Sequence, residues 1–128
     1  MTEKAIVITA DNTISIKELE VIDGSMLDGL KEIVGGWIEI VRPMHLEHPL
    51  VLICNEEGLI HQLPFNLVGS ALYGYAEHGQ PIVGNIAILE EVFRDGEPDI
   101  GGIKEDAVQQ IYDQFITKFP ILKGAHHD

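Results

Sequence analysis

Between Ile33 and Asn66 the sequence reads IVGGWIEIVRPMHLEHPLVLICNEEGLIHQLPFN, and no other stretch constrains the fold as much. Gly35 and Gly36 stop whatever precedes them. Two segments follow, Trp37–Arg42 and Leu50–Asn55, filled by Val, Ile, Leu and the only Trp. That enrichment marks strands with at least one buried face. Pro43 and Pro49 lie between the segments, so the connection is longer than a minimal hairpin turn. Asn55-Glu56-Glu57-Gly58 then reverses the chain, with Gly58 free to take positive φ.

The remaining elements are read around this pair. Lys4–Thr9 and Thr13–Val21 form a hairpin across an Asp11-Asn12 turn, with one face solvated. Ser25 is placed to cap a short helix, with Asp28 at the third position and an apolar stripe of Met26, Leu27, Leu30, Ile33 and Val34 ending at Gly35. Leu59–Gln62 reads as a brief return strand. Asn66 caps a helix over Leu67–Ala76 that Gly69 and Gly74 weaken. Pro81–Glu90 reads as a strand bent at Gly84-Asn85. Asp95–Gly102 reads as a loop, and Lys104–Phe119 as the longest helix, with Val108, Ile111, Tyr112, Phe115, Ile116 and Phe119 on its apolar face. The tail Ile121–Asp128 is expected to fray. The expected fold is one α+β domain over residues 1–128, a mostly antiparallel sheet with two or three helices, the longest at the C-terminus.

A chain of 128 residues fits a single domain and needs neither disulfide nor metal to build a core. Its formal charge of −13 opposes a general nucleic-acid or anionic-membrane surface, since phosphate binding draws on clustered Lys and Arg. Cys54, the single cysteine, sits in an apolar strand and behaves as a small buried hydrophobe. With no internal disulfide possible, a reducing compartment is favoured. No signal peptide and no apolar run of about 20 residues is recognised, so the expectation is a cytoplasmic protein.

Motifs for chemistry are sparse. His45, Glu47 and His48 offer two imidazoles and a carboxylate, but no further Cys or His pair completes a zinc set, and the terminal His126-His127-Asp128 adds none. No metal and no cofactor are therefore expected. Glu56-Glu57 and Glu90-Glu91 are adjacent carboxylates. Neighbours on a strand point to opposite faces, which suits solvated turns better than paired acid–base work. No GxSxG, HExxH, P-loop or GxGxxG pattern occurs, so the expectation is a non-enzymatic protein. Only two arginines, Arg42 and Arg94, stand against 21 acidic residues, each directly after an expected strand. A guanidinium fork there would hold a phosphate or carboxylate, or else pair with a neighbouring acid. Asn55 and Asn66 would read a base edge beside a stacking face from Trp37 or Tyr73.

The blocks AIVIT, LKEIVGGWIEIV, NEEG, LPFN and PIVGNIAIL, from about Lys4 to Leu89, together resemble the domain-of-unknown-function family number 3846, small proteins of bacteria and their phages and plasmids. The helix after Gly102 lies outside that resemblance. It implies no catalytic residue, but it does imply a mobile-element setting, where small acidic proteins commonly blunt host defence. Two functions follow as expectations. One is sequestration of a small anionic, nucleotide-type signal by Arg42, Arg94, Asn55, Asn66, Trp37 and Tyr73. The other is an acidic module that imitates nucleic acid toward a basic partner. Neither involves direct nucleic-acid or membrane binding. Apolar strands with open edges add the expectation of a homo-oligomer.

Overall fold

The computed structural model describes residues 1–125. Along the chain run β1 (Thr2–Ile8), β2 (Thr13–Glu20), α1 (Leu27–Val34), β3 (Ile38–Val41), β4 (Leu50–Asn55), α2 (Leu67–Tyr73), the single turn α3 (Tyr75–His78), β5 (Ile86–Arg94), β6 (Glu97–Gly101), α4 (Val108–Lys118) and β7 (Lys123–Gly124). One sheet holds every strand in the order β3-β4-β5-β1-β2-β7, with β6 pairing the far half of β5. All pairings are antiparallel except β2 with β7. The fold is α+β as expected, with α4 the longest helix at 11 residues.

The central strands explain the uninterrupted apolar runs AIVI, LVLIC and IAIL. Alternate residues of a strand face opposite sides, and here both sides are covered. Ile6, Ile8, Leu52, Cys54, Ile86 and Ile88 face one side, where α2 and α4 bring Val68, Leu72, Val108 and Phe115. Ala5, Val7, Val51, Ile53, Ala87 and Leu89 face the other, where α1 brings Leu30, Ile33 and Val34. The β1–β2 hairpin is therefore not solvated along a whole face, because both sides of β1 are buried. The expected helix faces do this covering.

Several expectations are corrected. Asp95–Gly102 is not a loop: Asp95 and Gly96 take φ of 54° and 78°, a two-residue turn from which β6 returns along β5. Asp-Gly is favoured there because both central residues of such a turn need positive φ. Pro98 is tolerated because β6 is an edge strand with β5 on one side only. Leu59–Gln62 is a run of turns rather than a strand, closed by Leu63 N–H donating to Gly58 O at 3.0 Å. The helix expected over Leu67–Ala76 breaks at Gly74, whose φ of 102° separates α2 from α3. The strand expected from Pro81 starts at Ile86, after a bend at Gly84 with φ of 79°.

The helix of α1 starts one residue later than expected. Met26 occupies the cap position, and Ser25 Oγ accepts from Leu27 N–H at 3.1 Å without capping the helix. The tail is pinned as far as Gly124: Leu122 is buried, and Lys123 N–H donates to Asn12 O at 2.9 Å. His126, His127 and Asp128 lie outside the described residues.

Candidate functional site

Arg42 follows β3 directly, and its Nη2 pairs with Glu91 Oε2. The Glu91 side chain is only 10% exposed, whereas that of Arg42 is 66% exposed, so the arginine reaches from the surface to neutralise a carboxylate set into the sheet. Arg94 ends β5, and its Nη1 lies 3.5 Å from Asp99 Oδ2 across the β5–β6 hairpin. Both arginines thus meet carboxylates of this chain. Arg42 lies level with Leu89 through the strand register, five residues short of Arg94. At about 3.3 Å per residue the two stand roughly 17 Å apart along the sheet.

The asparagines hold backbone together. Asn66 is fully buried: Oδ1 accepts from Gly69 N–H at 2.9 Å, capping α2, while Nδ2 donates to Ile8 O at 3.1 Å and Gly84 O at 2.8 Å. Every polar atom of its amide is therefore committed inside the fold. Asn55, at the end of β4, donates from Nδ2 to Val34 O at 3.1 Å and accepts from Glu57 N–H at 2.7 Å. It ties the last turn of α1 to the reversal after β4. Tyr73 is partly buried against the α4-side core, its ring 4.9 Å from that of His78. Trp37 is 58% exposed, with Lys31 Nζ 4.0 Å above its ring.

The structure brings together only part of the expected set. Trp37 and Asn55 lie at one end of the β3–β4 ladder, where Glu56 N–H donates to Trp37 O at 2.9 Å. Arg42 lies at the opposite end of β3, about 17 Å from Trp37 at five strand residues of about 3.3 Å each. Asn66 is sealed beneath α2. The six residues do not line one pocket.

A different cleft opens at the Asn55 end. It holds about 210 Å³ between Glu39 of β3, residues 54–60 and residues 80–83. Three carboxylates, Glu39, Glu56 and Glu57, rim it, and no Lys or Arg lines it. Leu59 and Ile60 stand at its mouth, 54% and 74% exposed. Just beyond, Phe65 and Tyr75 expose rings packed 5.6 Å apart. Cys54 contributes to the floor, its Sγ 4.0 Å from Glu39 Oε1. Burial, and secondarily the Glu39 carboxylate, push this thiol up to about 12, so it remains protonated and is no nucleophile near neutral pH. Sequence reasoning reached Glu56 and Glu57 only as solvated turn residues and assigned Leu59-Ile60 to a strand. Exposed leucine and isoleucine beside a Glu-Glu-Gly turn are the signal it passed over.

Among the described residues no group of three or more His, Cys, Asp or Glu is placed to hold a metal ion. His45 instead pairs with Glu77, Nε2 to Oε1 at 3.1 Å. No helix of the described residues is long and apolar enough to cross a membrane.

None of the curated proteins matches the chain in sequence. Among solved structures it is similar to the crystal structure of small RNA methyltransferase HEN1, with a TM-score of 0.57 and 14% identity over 88% of this chain. The match spans 16% of that protein's chain, and at this identity it shows the fold alone. A family profile described as a domain of unknown function, DUF3846, matches residues 1–116. That match extends past the block at 4–89 that carried the resemblance, through the β5–β6 hairpin and most of α4. The chain belongs to the DUF3846 family of domains of unknown function.

Proposed function

We propose that the protein is a non-enzymatic interaction module of a mobile element, presenting an acidic surface to a basic protein partner in place of nucleic acid. The observation that carries this reading is the disposition of charge. Both arginines are paired with carboxylates, while the cleft at the Asn55 end of the β3–β4 ladder is rimmed by Glu39, Glu56 and Glu57. An anionic ligand entering that cleft meets repulsion and no cation, whereas a lysine- or arginine-bearing partner meets a complementary field. Leu59 and Ile60 add apolar surface of the kind that gives an interface its affinity. Burial holds the Cys54 thiol protonated, which argues against thiolate chemistry at this site. In a host cytoplasm such a surface would compete with nucleic acid for a basic defence or regulatory protein.

The reading is tested by fluorescence anisotropy of a labelled DNA duplex held by protamine. The protein is expected to release the duplex in a saturable, salt-sensitive manner, and ATP is expected to leave its melting temperature unchanged. Retention of the duplex, with a clear upward shift of the melting temperature in ATP, would return the function to nucleotide sequestration.

A further inference from the structure

The outer edge of β3 is unpaired. Strand β3 ends the sheet order, and among the described residues nothing hydrogen-bonds to its outer side. The bond from Glu56 N–H to Trp37 O fixes the phase of the ladder, so Glu39 and Val41 bond inward to Cys54 and Leu52. Ile38 and Ile40 consequently direct their N–H and C=O groups outward. Edges in native proteins are blunted by short length, charge (especially Lys), Pro, bulges or a covering element. At four residues β3 is short and Glu39 is charged, which disfavours a like-charged strand, but Ile38–Val41 carries no Lys, Pro or bulge, and Ile40 and the flanking Trp37 are 46% and 58% exposed.

We propose that this edge is a docking site for an extended basic segment of a partner protein, which adds to β3 as a further strand. The inference rests on the interaction-module reading above and specifies its contact mode. Backbone bonds to Ile38 and Ile40 supply the register, as in other strand-addition complexes. Charge selects the occupant. Side chains of an added strand that fall on the cleft side meet Glu39, and its end meets Glu56 and Glu57, so alternate Lys or Arg are complementary there. Those on the other side meet Ile40 and favour apolar residues. A second copy of this chain is disfavoured, since two bodies of charge −13 would meet at Glu39.

The test uses the full-length, isotope-labelled protein and two synthetic octapeptides, one alternating valine with lysine and the other valine with glutamate. At low ionic strength the lysine peptide is expected to slow amide exchange at Ile38 and Ile40 at least tenfold, and the glutamate peptide to have no effect. Ile40→Pro removes an outward donor and no ladder bond, so a folded variant that no longer binds is expected. Should that variant fail to fold, Glu39→Gln and Glu57→Gln carry the test, each weakening binding roughly two- to fivefold. Equal binding of both peptides overturns the proposal and the acidic reading together. Binding of the lysine peptide without protection at Ile38 and Ile40 overturns the edge and leaves the acidic reading standing. Protection of both amides without peptide, with a dimer mass, assigns the edge to a second copy instead.

Discussion

At the scale of single residues, side chains that look like ligand contacts in the sequence turn out to have partners within the chain. Asn66 shows why: its position before a helix announces a cap, but only the fold reveals that Ile8 O and Gly84 O wait on the other side of its amide. Asn66→Ala strands both carbonyls and the Gly69 N–H. It is expected to cost about 2–4 kcal/mol in urea unfolding, with the slope unchanged. The arginines separate in the same assay. Arg42→Ala leaves the nearly buried Glu91 with only His48 Nε2, at 3.9 Å, beside it and should cost about 1–2 kcal/mol. Arg94→Ala breaks an exposed pair and should stay within about 0.5 kcal/mol. Equal, negligible costs would show that Glu91 does not depend on Arg42. Cys54 gives a pH signature. The unfolded thiol releases its proton near 9.0, while the folded one holds it to about 12. Stability contributed by this group is therefore present below pH 9 and lost as pH rises toward 12. At pH 8 the folded protein holds about a thousandfold less thiolate, so iodoacetamide should label it far more slowly than the urea-unfolded chain.

At the scale of elements, what the sequence made legible was whatever depends on a repeating pattern. The two apolar segments around Pro43 and Pro49, the N-terminal hairpin, α1 with its stop at Gly35, and the apolar face of α4 all sit where periodicity and punctuation put them. Elements whose existence depends on a turn or on distant pairing were missed. The strand β6 is polar and carries Pro98, so nothing in its own residues calls for a strand; Asp95-Gly96 does, by folding it back on β5. The two residues of β7 acquire their conformation from β2, and Leu122 is held by the core rather than by local propensity. The candidate site was less legible than the fold, since charge pairing between Arg42 and Glu91 joins residues 49 apart in sequence. The helix α4, which supplies Val108 and Phe115 to one core, is as integral as the strands. Truncation after Gly102 would expose Ile6, Ile8, Ile86 and Ile88, and is expected to give an insoluble or uncooperatively unfolding product in circular dichroism melts. A cooperative transition at the wild-type midpoint would show α4 to be an appendage.

At the scale of the whole molecule, the excess of negative charge is unevenly useful. Part of it is paired with Arg42, Arg94 and Lys4, and part gathers around the cleft beside β3. The open edge of β3 invites pairing, and covering it by a second copy was the expectation from the apolar strands alone. A charge of −13 per chain makes a basic partner the better occupant, and light scattering at micromolar concentration in low salt should return the monomer mass. A non-specific attraction of any cation to so acidic a body must be separated from recognition at one place. Two variants of equal net charge do this: Glu39→Gln, Glu56→Gln and Glu57→Gln together, and Glu18→Gln, Glu20→Gln and Asp106→Asn together, the latter on exposed residues away from the cleft. Titration calorimetry with hexalysine at low ionic strength is the most direct measurement. The first variant is expected to lose at least tenfold in affinity while the second stays within about twofold of wild type. Equal losses in the two would contradict it, because the cleft would then be no more than a sample of the average field.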